Sequence, residues 1–363
     1  MDDQATPPAR RVIAHLDVDA FYASVELLRR PELAGLPVVV AGSGPRAVVT
    51  TASYEARRYG IDSAMPAARA RALCPQGAFL APDFDAYRAH SRRLWDIVRA
   101  HVDVLQQVGI DEGYVDLTGV AKPLPILRET VAEVRERTGL VVSVGVGPSR
   151  LVAKTASAAF KPEAFAALSR EEACARFGAA SVRILQGIGP KTAERLAGLG
   201  VHTVADLQAR PEDELARSFG ARMARELHRR AHFHDASPVE TVRVAKSRSN
   251  ETTFPRDIAD AAELEAVLVR LARELCEGLR RKGARGRTIG IKVRLDDWTT
   301  VTRARTLERA TDGTETVTAV ALELFRAYGP ARPVRLLGVR VAAFEDGTPA
   351  PDDADGDQLA LAV

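Results

Sequence analysis

Cysteine is scarce in this chain: Cys74, Cys174 and Cys276 are the only three in 363 residues. They are isolated and widely spaced, so they form neither a zinc pattern nor a disulfide framework. Reduced thiols in a cytosolic protein are therefore the expectation. No apolar run approaches the length of a membrane span. The N-terminus, MDDQATPPARR, is acidic and then basic and lacks the apolar stretch of a secretory signal. Hydrophobic residues make up 46% of the chain, which supports buried cores and argues against global disorder. The length suits roughly two to four domains.

Strong net charge is also missing, at +3 overall, but the distribution is uneven. The segment from Glu345 to the end carries six acids and no Lys or Arg. From Arg243 to Phe344 there are 20 basic and 13 acidic residues, or +7. A basic C-terminal module on a near-neutral body suits a polyanion partner, with a solvated basic face as the alternative.

Two acidic strings stand out. HLDVDAFYASVE (His15–Glu26) carries Asp17 and Asp19, and GIDEGY (Gly109–Tyr114) carries Asp111 and Glu112. Apolar residues flank each string, so both read as carboxylates on short strands or the turns at their ends. Carboxylates that converge on a sheet need a cation, and oxygen ligands favour Mg²⁺ or Mn²⁺. That chemistry suits metal-assisted phosphoryl or nucleotidyl transfer. Asp17 and Asp19 share one strand face, though a DxD also occurs in sugar-nucleotide transferases and ordinary loops. Asp116 reads as structural.

Three further stretches follow. TTASYEARRYGI (Thr50–Ile61) places Tyr54 and Arg57 on one face of a helix starting near Ser53. With Thr51 and Ser53 it suits a phosphate chain; a capped surface helix with a stacked Tyr is the alternative. SRLVAKTASAAFKPEAF (Ser149–Phe165) puts Lys154 and Lys161 on one helical face, either to reach a triphosphate or as a solvated face. LQGIGPKTAERL (Leu185–Leu196), with Gly187, Gly189 and Lys191, resembles a helix–hairpin–helix whose backbone N–H groups meet phosphate without reading sequence. The alternative is a plain Gly turn.

Along the chain, Val12–Asp17, Val38–Val40, Ala47–Thr51, Tyr114–Leu117 and Leu140–Val146 read as strands. Phe21–Arg30, Tyr87–His101, Leu124–Thr138 and Arg150–Ala159 read as helices. Ser169–Ser237 is wholly helical, and a Pro-containing linker follows. The C-terminal module has the order β–α–β–β–α–β of a small α+β domain, with helices over Ala262–Arg281 and Thr316–Tyr328. An acidic tail closes the chain.

Taken together, LDVDAFYASVE, TTASYEARRYGI, GIDEGYVDL, VSVGVGPSRLVAKTAS with FKP, LQGIGPKTAERL, KSRSNETTF and RTIGIKVRLDDWTTVTRARTL resemble, in order, the motifs of Y-family translesion DNA polymerases of the bacterial DinB type. The resemblance spans Arg11 to Phe344. It implies an α/β and α+β multidomain right-hand polymerase. The palm would be residues 11–20 and 80–168, the small fingers 21–79, and the helical thumb with its hairpin 169–237. A linker (238–242), an α+β little finger (243–344) and a flexible acidic tail (345–363) would complete it.

By the same resemblance, Asp17, Asp111 and Glu112 with the Val18 carbonyl would bind two Mg²⁺, with Mn²⁺ as substitute. Asp19 would not be a principal ligand. Thr51, Tyr54, Arg57 and Lys161 would hold the dNTP triphosphate. Tyr22 would be the steric gate against a 2′-hydroxyl, and Met65–Pro66 would lie at the templating pair. Gly187, Gly189 and Lys191 would contact DNA phosphate. Gln358, Leu359 and Leu361 resemble the QLxL start of a β sliding-clamp peptide, with Ala362 where that motif has Phe. The protein would act on primer–template DNA as a cytoplasmic, nucleoid-associated monomer without a membrane. Gly109 stands where the family has Ser, Phe160 where it has a small residue, and Ala164 where it has Gly. The rivals are a non-catalytic adaptor of the same fold, a module for damaged DNA, and a palm-like nucleotide cyclase.

Overall fold

The computed structural model describes residues 10–242 and 244–345. In chain order the elements begin with β1 (Ile13–Val18), α1 (Phe21–Arg29), β2 (Val38–Ala41), β3 (Val49–Ala52), α2 (Tyr54–Arg57), α3 (Ala67–Leu73) and β4 (Ala78–Leu80). Next come α4 (Phe84–His101), β5 (Leu105–Gln107), β6 (Glu112–Asp116), α5 (Pro123–Thr138), β7 (Val142–Gly147), α6 (Arg150–Ala159) and β8 (Phe165–Ala167). Helices α7 (Arg170–Phe177), α8 (Pro190–Ala197), α9 (Val204–Ala209), α10 (Glu212–Phe219) and α11 (Ala221–Ala231) follow. The chain continues with β9 (Ser247–Ile258), α12 (Ala261–Arg281), β10 (Gly286–Leu295), β11 (Thr300–Thr311), α13 (Thr314–Tyr328) and β12 (Val334–Phe344). Contacts group the chain into two compact units, one of residues 1–28 and 89–241, the other of 29–88 and 242–363. Helix α1 lies in the first unit through Leu28.

The first unit holds a five-stranded sheet in the order β5–β6–β1–β7–β8. Its central strand β1 runs antiparallel to both β6 and β7. Leu16 and Ile13 are fully buried, and Ala14, Val144 and Val115 are completely shielded. A strand buried on both sides explains why VIAHL reads as nearly continuous apolar sequence rather than as an alternation. Helix α6 lies directly on β7: a Cβ added to Gly145 would sit 2.1 Å from the Ala153 carbonyl oxygen and 2.3 Å from the Ser157 nitrogen. Only glycine permits that approach. Ser149 caps α6, accepting from the Val152 N–H at 3.2 Å.

The helical segment after β8 packs its own core from Phe177, Leu185, Ile188, Leu196, Val201, Leu207 and Leu227, among others. Capping boxes start α7 at Ser169 and α9 at Thr203. The Pro-containing stretch that follows packs along the same unit. Val239 joins Ile13, Tyr114 and Ala153, and the Glu240 N–H donates to Gln106 Oε1 at 3.0 Å.

In the second unit, a small sheet in the order β3–β2–β4 is covered by α2 and α3 around Val39, Ile61 and Ala70. A four-stranded sheet, β11–β10–β12–β9, carries α12 and α13 over a core of Leu268, Leu275, Ile289, Val293, Val317, Phe325 and Val339. The element order β–α–β–β–α–β matches the sequence reading. The two sheets meet through Arg46, which donates to the Phe254 carbonyl at 3.0 Å and pairs with Asp257 at 2.8 Å. Among the described residues no helix is long and apolar enough to cross a membrane. The three cysteines are free.

Candidate active site

The register of β1 and β6 assembles the site. Asp17 faces Glu112 and His15 faces Tyr114 across the two strands. Residues two apart share a strand face, so these four side chains form a square on one side of the sheet, the side covered by α6. Asp111 precedes β6 in a turn held from two directions. The Ile110 carbonyl accepts from Ser91 Oγ at 2.5 Å and from Trp95 Nε1 at 3.1 Å. The Asp111 carbonyl accepts from the Val18 N–H at 2.9 Å. Gly113 is needed here because a Cβ would sit 2.8 Å from the Trp95 ring.

Helix α6 delivers two ammonium groups to the carboxylates. Lys154 Nζ lies 3.2 Å from Asp17 Oδ2 and donates to Glu112 Oε2. Lys161, just past the helix, donates to Asp17 Oδ1 and stands 3.5 Å from the Val18 carbonyl. The solvated-face reading of this pair is therefore wrong: their side chains are only 23% and 18% exposed. Asp19 is buried at 4% exposure. It accepts from Ser143 Oγ at 2.9 Å and from the Glu163 N–H at 2.7 Å. Those bonds hold it against β7 and the Glu163 backbone, and its Oδ1 also lies 3.6 Å from Lys161 Nζ.

Crowding of like charge shows in the acidities. Burial, then the charges of Asp17 and Glu112, push Asp111 up to about 6. Burial also acts to raise Glu112, but the neighbouring His15 ring and the Lys154 ammonium outweigh it and hold the group well below the usual carboxylate range. Burial keeps His15 below its ordinary value. The Tyr22 hydroxyl is pushed up by burial and then by the Asp111 charge, which places that ring beside the acidic turn.

An oxygen-rich set of this kind fits a hard divalent cation. Ligand atoms of His15, Asp17 and Glu112 all lie within 4.8 Å of one another. Asp111 is not in that cluster, although its charge is coupled to both carboxylates.

In the second unit, Ser53 Oγ accepts from the Ala56 N–H at 3.3 Å and caps α2. The Arg57 guanidinium stacks 4.7 Å from the Tyr54 ring centre, and its Nε donates to the Ala52 carbonyl at 3.1 Å. Thr51 is buried at the end of β3. Met65 packs against the small sheet's core, and Pro66 starts α3. Back in the first unit, Gly187 has φ +90° and Gly189 caps α8, while Ile188 between them is buried. Lys191 is exposed on α8. The Ile188 N–H donates to the Leu185 carbonyl at 3.1 Å and closes the turn. Arg230 braces it by donating to the Gln186 carbonyl at 2.9 Å.

Comparison with known proteins decides the family. A family model described as the impB/mucB/samB family matches residues 16–158, and its C-terminal-domain counterpart matches residues 245–361. A DNA polymerase-iota thumb domain model matches residues 183–233. DNA polymerase IV of Methanoculleus marisnigri is 40% identical over 345 residues, 93% of this chain and 95% of that protein. DNA polymerase IV of Alkalilimnicola ehrlichii is 40% identical over 358 residues, 97% of this chain and 99% of that protein. The chain belongs to the Y-family DNA polymerases of the DNA polymerase IV type. A solved Y-family DNA polymerase chimera superposes with a TM-score of 0.81 at 25% identity, covering 91% of this chain and 98% of that one. DinB from Sulfolobus solfataricus superposes with a TM-score of 0.63 at 25% identity over the same shares. The fold is accordingly that of a right-hand polymerase with palm, fingers, helical thumb and little finger.

Two departures from the family motifs have visible consequences. Phe160 packs on the helical core, 6.3 Å from Phe177 and under the Arg176 guanidinium at 4.6 Å. At Gly109, a Cβ would sit 3.3 Å from Asp111 Oδ1, so a side chain there would press on the acidic turn. Sequence reasoning missed His15, Ser157 and Trp95, which touch or position the acidic residues. The clamp-like Gln358, Leu359 and Leu361 lie outside the described residues.

Proposed function

We propose that this chain adds deoxynucleotides to a primer 3′-hydroxyl on a DNA template, with Asp17, Asp111 and Glu112 as the metal-binding carboxylates. The observation that carries this reading is the Asp17–Glu112 pairing across β1 and β6, with Asp111 held beside it. Two Mg²⁺, or Mn²⁺ in their place, would supply charge neutralisation and a more acidic primer hydroxyl. The protein's own share is positioning. Strand register sets the carboxylates, Ser91 and Trp95 fix the acidic turn, and Lys154 and Lys161 lower the mutual repulsion before substrate arrives.

Tyr22, beside Asp111, is the residue to exclude a ribose 2′-hydroxyl. Thr51, Tyr54, Arg57 and Lys161 hold the triphosphate, with Arg57 pre-stacked on Tyr54, and Met65 and Pro66 border the templating pair. Gly187, Gly189 and Lys191 meet duplex phosphate, and the basic residues of 243–344 provide further grip. The borders expected for palm, fingers, thumb and little finger belong to this reading. Lesion bypass follows from family membership. Docking on a β sliding clamp through Gln358, Leu359 and Leu361 would be weak, because Ala362 supplies no ring.

The test is Asp111→Ala in the full chain. Nucleotide incorporation by the purified variant falls at least about 1,000-fold with loss of a metal ligand, while primer–template binding is retained. Near-normal extension by Asp111→Ala refutes the assignment. The adaptor reading predicts no extension by the unmodified chain either, so primer extension with Mg²⁺ separates the two.

A further inference from the structure

His15 has no part in the reading above, yet it sits in the same square of side chains. It is completely buried. Its Nδ1 lies 2.7 Å from Ser157 Oγ on α6. Its ring packs edge-on to Tyr114 at 4.7 Å between centres. Its Nε2 is 3.5 Å from Glu112 Oε2 and makes no hydrogen bond among the described residues. A buried ring nitrogen left without a good bond is unfavourable, so its aim at a carboxylate calls for an explanation.

The tautomer follows from the neighbours. The Ser157 hydroxyl has two acceptors within reach, His15 Nδ1 at 2.7 Å and the Lys154 carbonyl at 3.0 Å; donation over the shorter contact puts the ring proton on Nε2, facing the carboxylate. The other tautomer would aim a lone pair at a carboxylate oxygen, a repulsive contact. Gly145 sets the arrangement, because it lies opposite His15 in the sheet and lets α6 come close enough to place Ser157 against the ring.

We propose that His15 is a positioning residue whose Nε2–H orients the Glu112 carboxylate toward a bound divalent cation, with Ser157 and Tyr114 fixing the ring. This rests on the reading of Glu112 as a metal ligand. Glu112 also receives the Lys154 ammonium on the same oxygen, Oε2. Both donors thus hold one oxygen of the carboxylate and leave Oε1 for a cation. Partners of metal-ligating groups act in this way, through orientation rather than by contact with the reactants.

The experiment uses the full chain on a dideoxy-terminated primer–template with the matching dNTP, so that no bond forms. Mn²⁺ binding is read by electron paramagnetic resonance for His15→Leu, His15→Gln, Ser157→Ala and Glu112→Ala. In parallel, the Mg²⁺ concentration for half-maximal incorporation and the dNTP KM are measured on an extendable primer. His15→Leu is expected to weaken Mn²⁺ binding by roughly 10-fold or more and to raise the Mg²⁺ requirement alike. The dNTP KM at saturating Mg²⁺ stays unchanged. Glutamine, whose amide reaches the Nε2 position, recovers most of the loss, and Ser157→Ala gives a smaller loss.

Unchanged Mn²⁺ binding in His15→Leu overturns the proposal. Equal losses in the Leu and Gln variants, with melting temperatures like that of the parent, also overturn it, because they make His15 a direct ligand. If His15→Leu does not fold, unchanged Mn²⁺ binding in Ser157→Ala overturns the proposal instead. Unchanged binding in Glu112→Ala overturns the underlying reading of Glu112. Loss there, with none in His15→Leu, overturns the positioning role alone.

Discussion

Gly145→Ala is the sharpest test of how the fold builds this site. The added methyl would lie 2.1 Å from the Ala153 oxygen and 2.3 Å from the Ser157 nitrogen, whereas ordinary contact begins at 3.4 Å. Both atoms are backbone, so no side chain can swing away and α6 or β7 must move by about 1 Å. Helix α6 carries Lys154 and Ser157 and leads into Lys161. The same movement therefore displaces the groups that meet Asp17, Glu112 and His15. Overpacking of this kind costs about 1–3 kcal/mol of stability, and a misplacement of about 1 Å at reacting groups can cost about 100-fold in rate. The assay is single-turnover incorporation at saturating dNTP, together with a urea unfolding midpoint. Gly198→Ala is the control: its Cβ would meet nothing closer than 3.4 Å and its φ is −61°. That variant should keep its rate and gain up to about 1 kcal/mol from the less flexible unfolded chain. An unchanged rate and midpoint in Gly145→Ala would show that α6 does not hold the site in place.

Tyr22→Ala should lower the ratio of dNTP to rNTP efficiency by on the order of 10- to 100-fold, since discrimination by exclusion weakens when the ring is gone. Steady-state incorporation of matched dNTP and rNTP measures it, and an unchanged ratio removes Tyr22 from that role. DNA affinity should fall linearly with salt on a log–log plot, with most of the slope supplied by residues 243–344, which carry +7. A chain ending at Ser237 that binds with the same slope as the whole would contradict this. Deleting Gln358–Val363 should reduce, by a few-fold at most, the gain in processivity from a loaded clamp, because two apolar anchors without an aromatic bind weakly. Equal gains with and without those residues place any clamp contact elsewhere.

Much of the site was legible because strand period and charge act together. LDVD and GIDEGY read as carboxylates at strand ends, and Asp17 and Glu112 do pair across β1 and β6. The long helices outside the all-helical segment are legible nearly to their ends, as with Leu124–Thr138 against α5 at Pro123–Thr138. Strands β4, β5 and β8 were not read, since each has only three residues and leaves no period to detect. The sequence leaves Lys154 open between substrate and solvent, because spacing along α6 says which face it shares but not what covers that face. Gly113 and Gly145 carry no signal without their neighbours. Their need arises from Trp95, eighteen residues upstream of the first, and from the backbone of α6, packed against the second. Phe160 looked like a departure from a motif, and the helical core against which it packs supplies the local reason.

The contact of Lys161 with Asp17 bears on its proposed work at the triphosphate. The two roles are compatible on charge. Lys154 and Lys161 meet Asp17 and Glu112, while burial, then the charges of Asp17 and Glu112, keeps Asp111 above the usual carboxylate range. A divalent cation carries more charge in less space than an ammonium group, so carboxylates that bind one no longer need the lysine. Lys161 follows a helix end on a flexible four-carbon stem, so its ammonium can turn toward a phosphate oxygen without moving the backbone. Lys154 is differently placed. It bridges Asp17 and Glu112 from within α6. In the proposed reading the two lysines divide the work: Lys154, touching both Asp17 and Glu112, keeps the carboxylates together, and Lys161, past the helix end, would exchange a carboxylate for the incoming nucleotide.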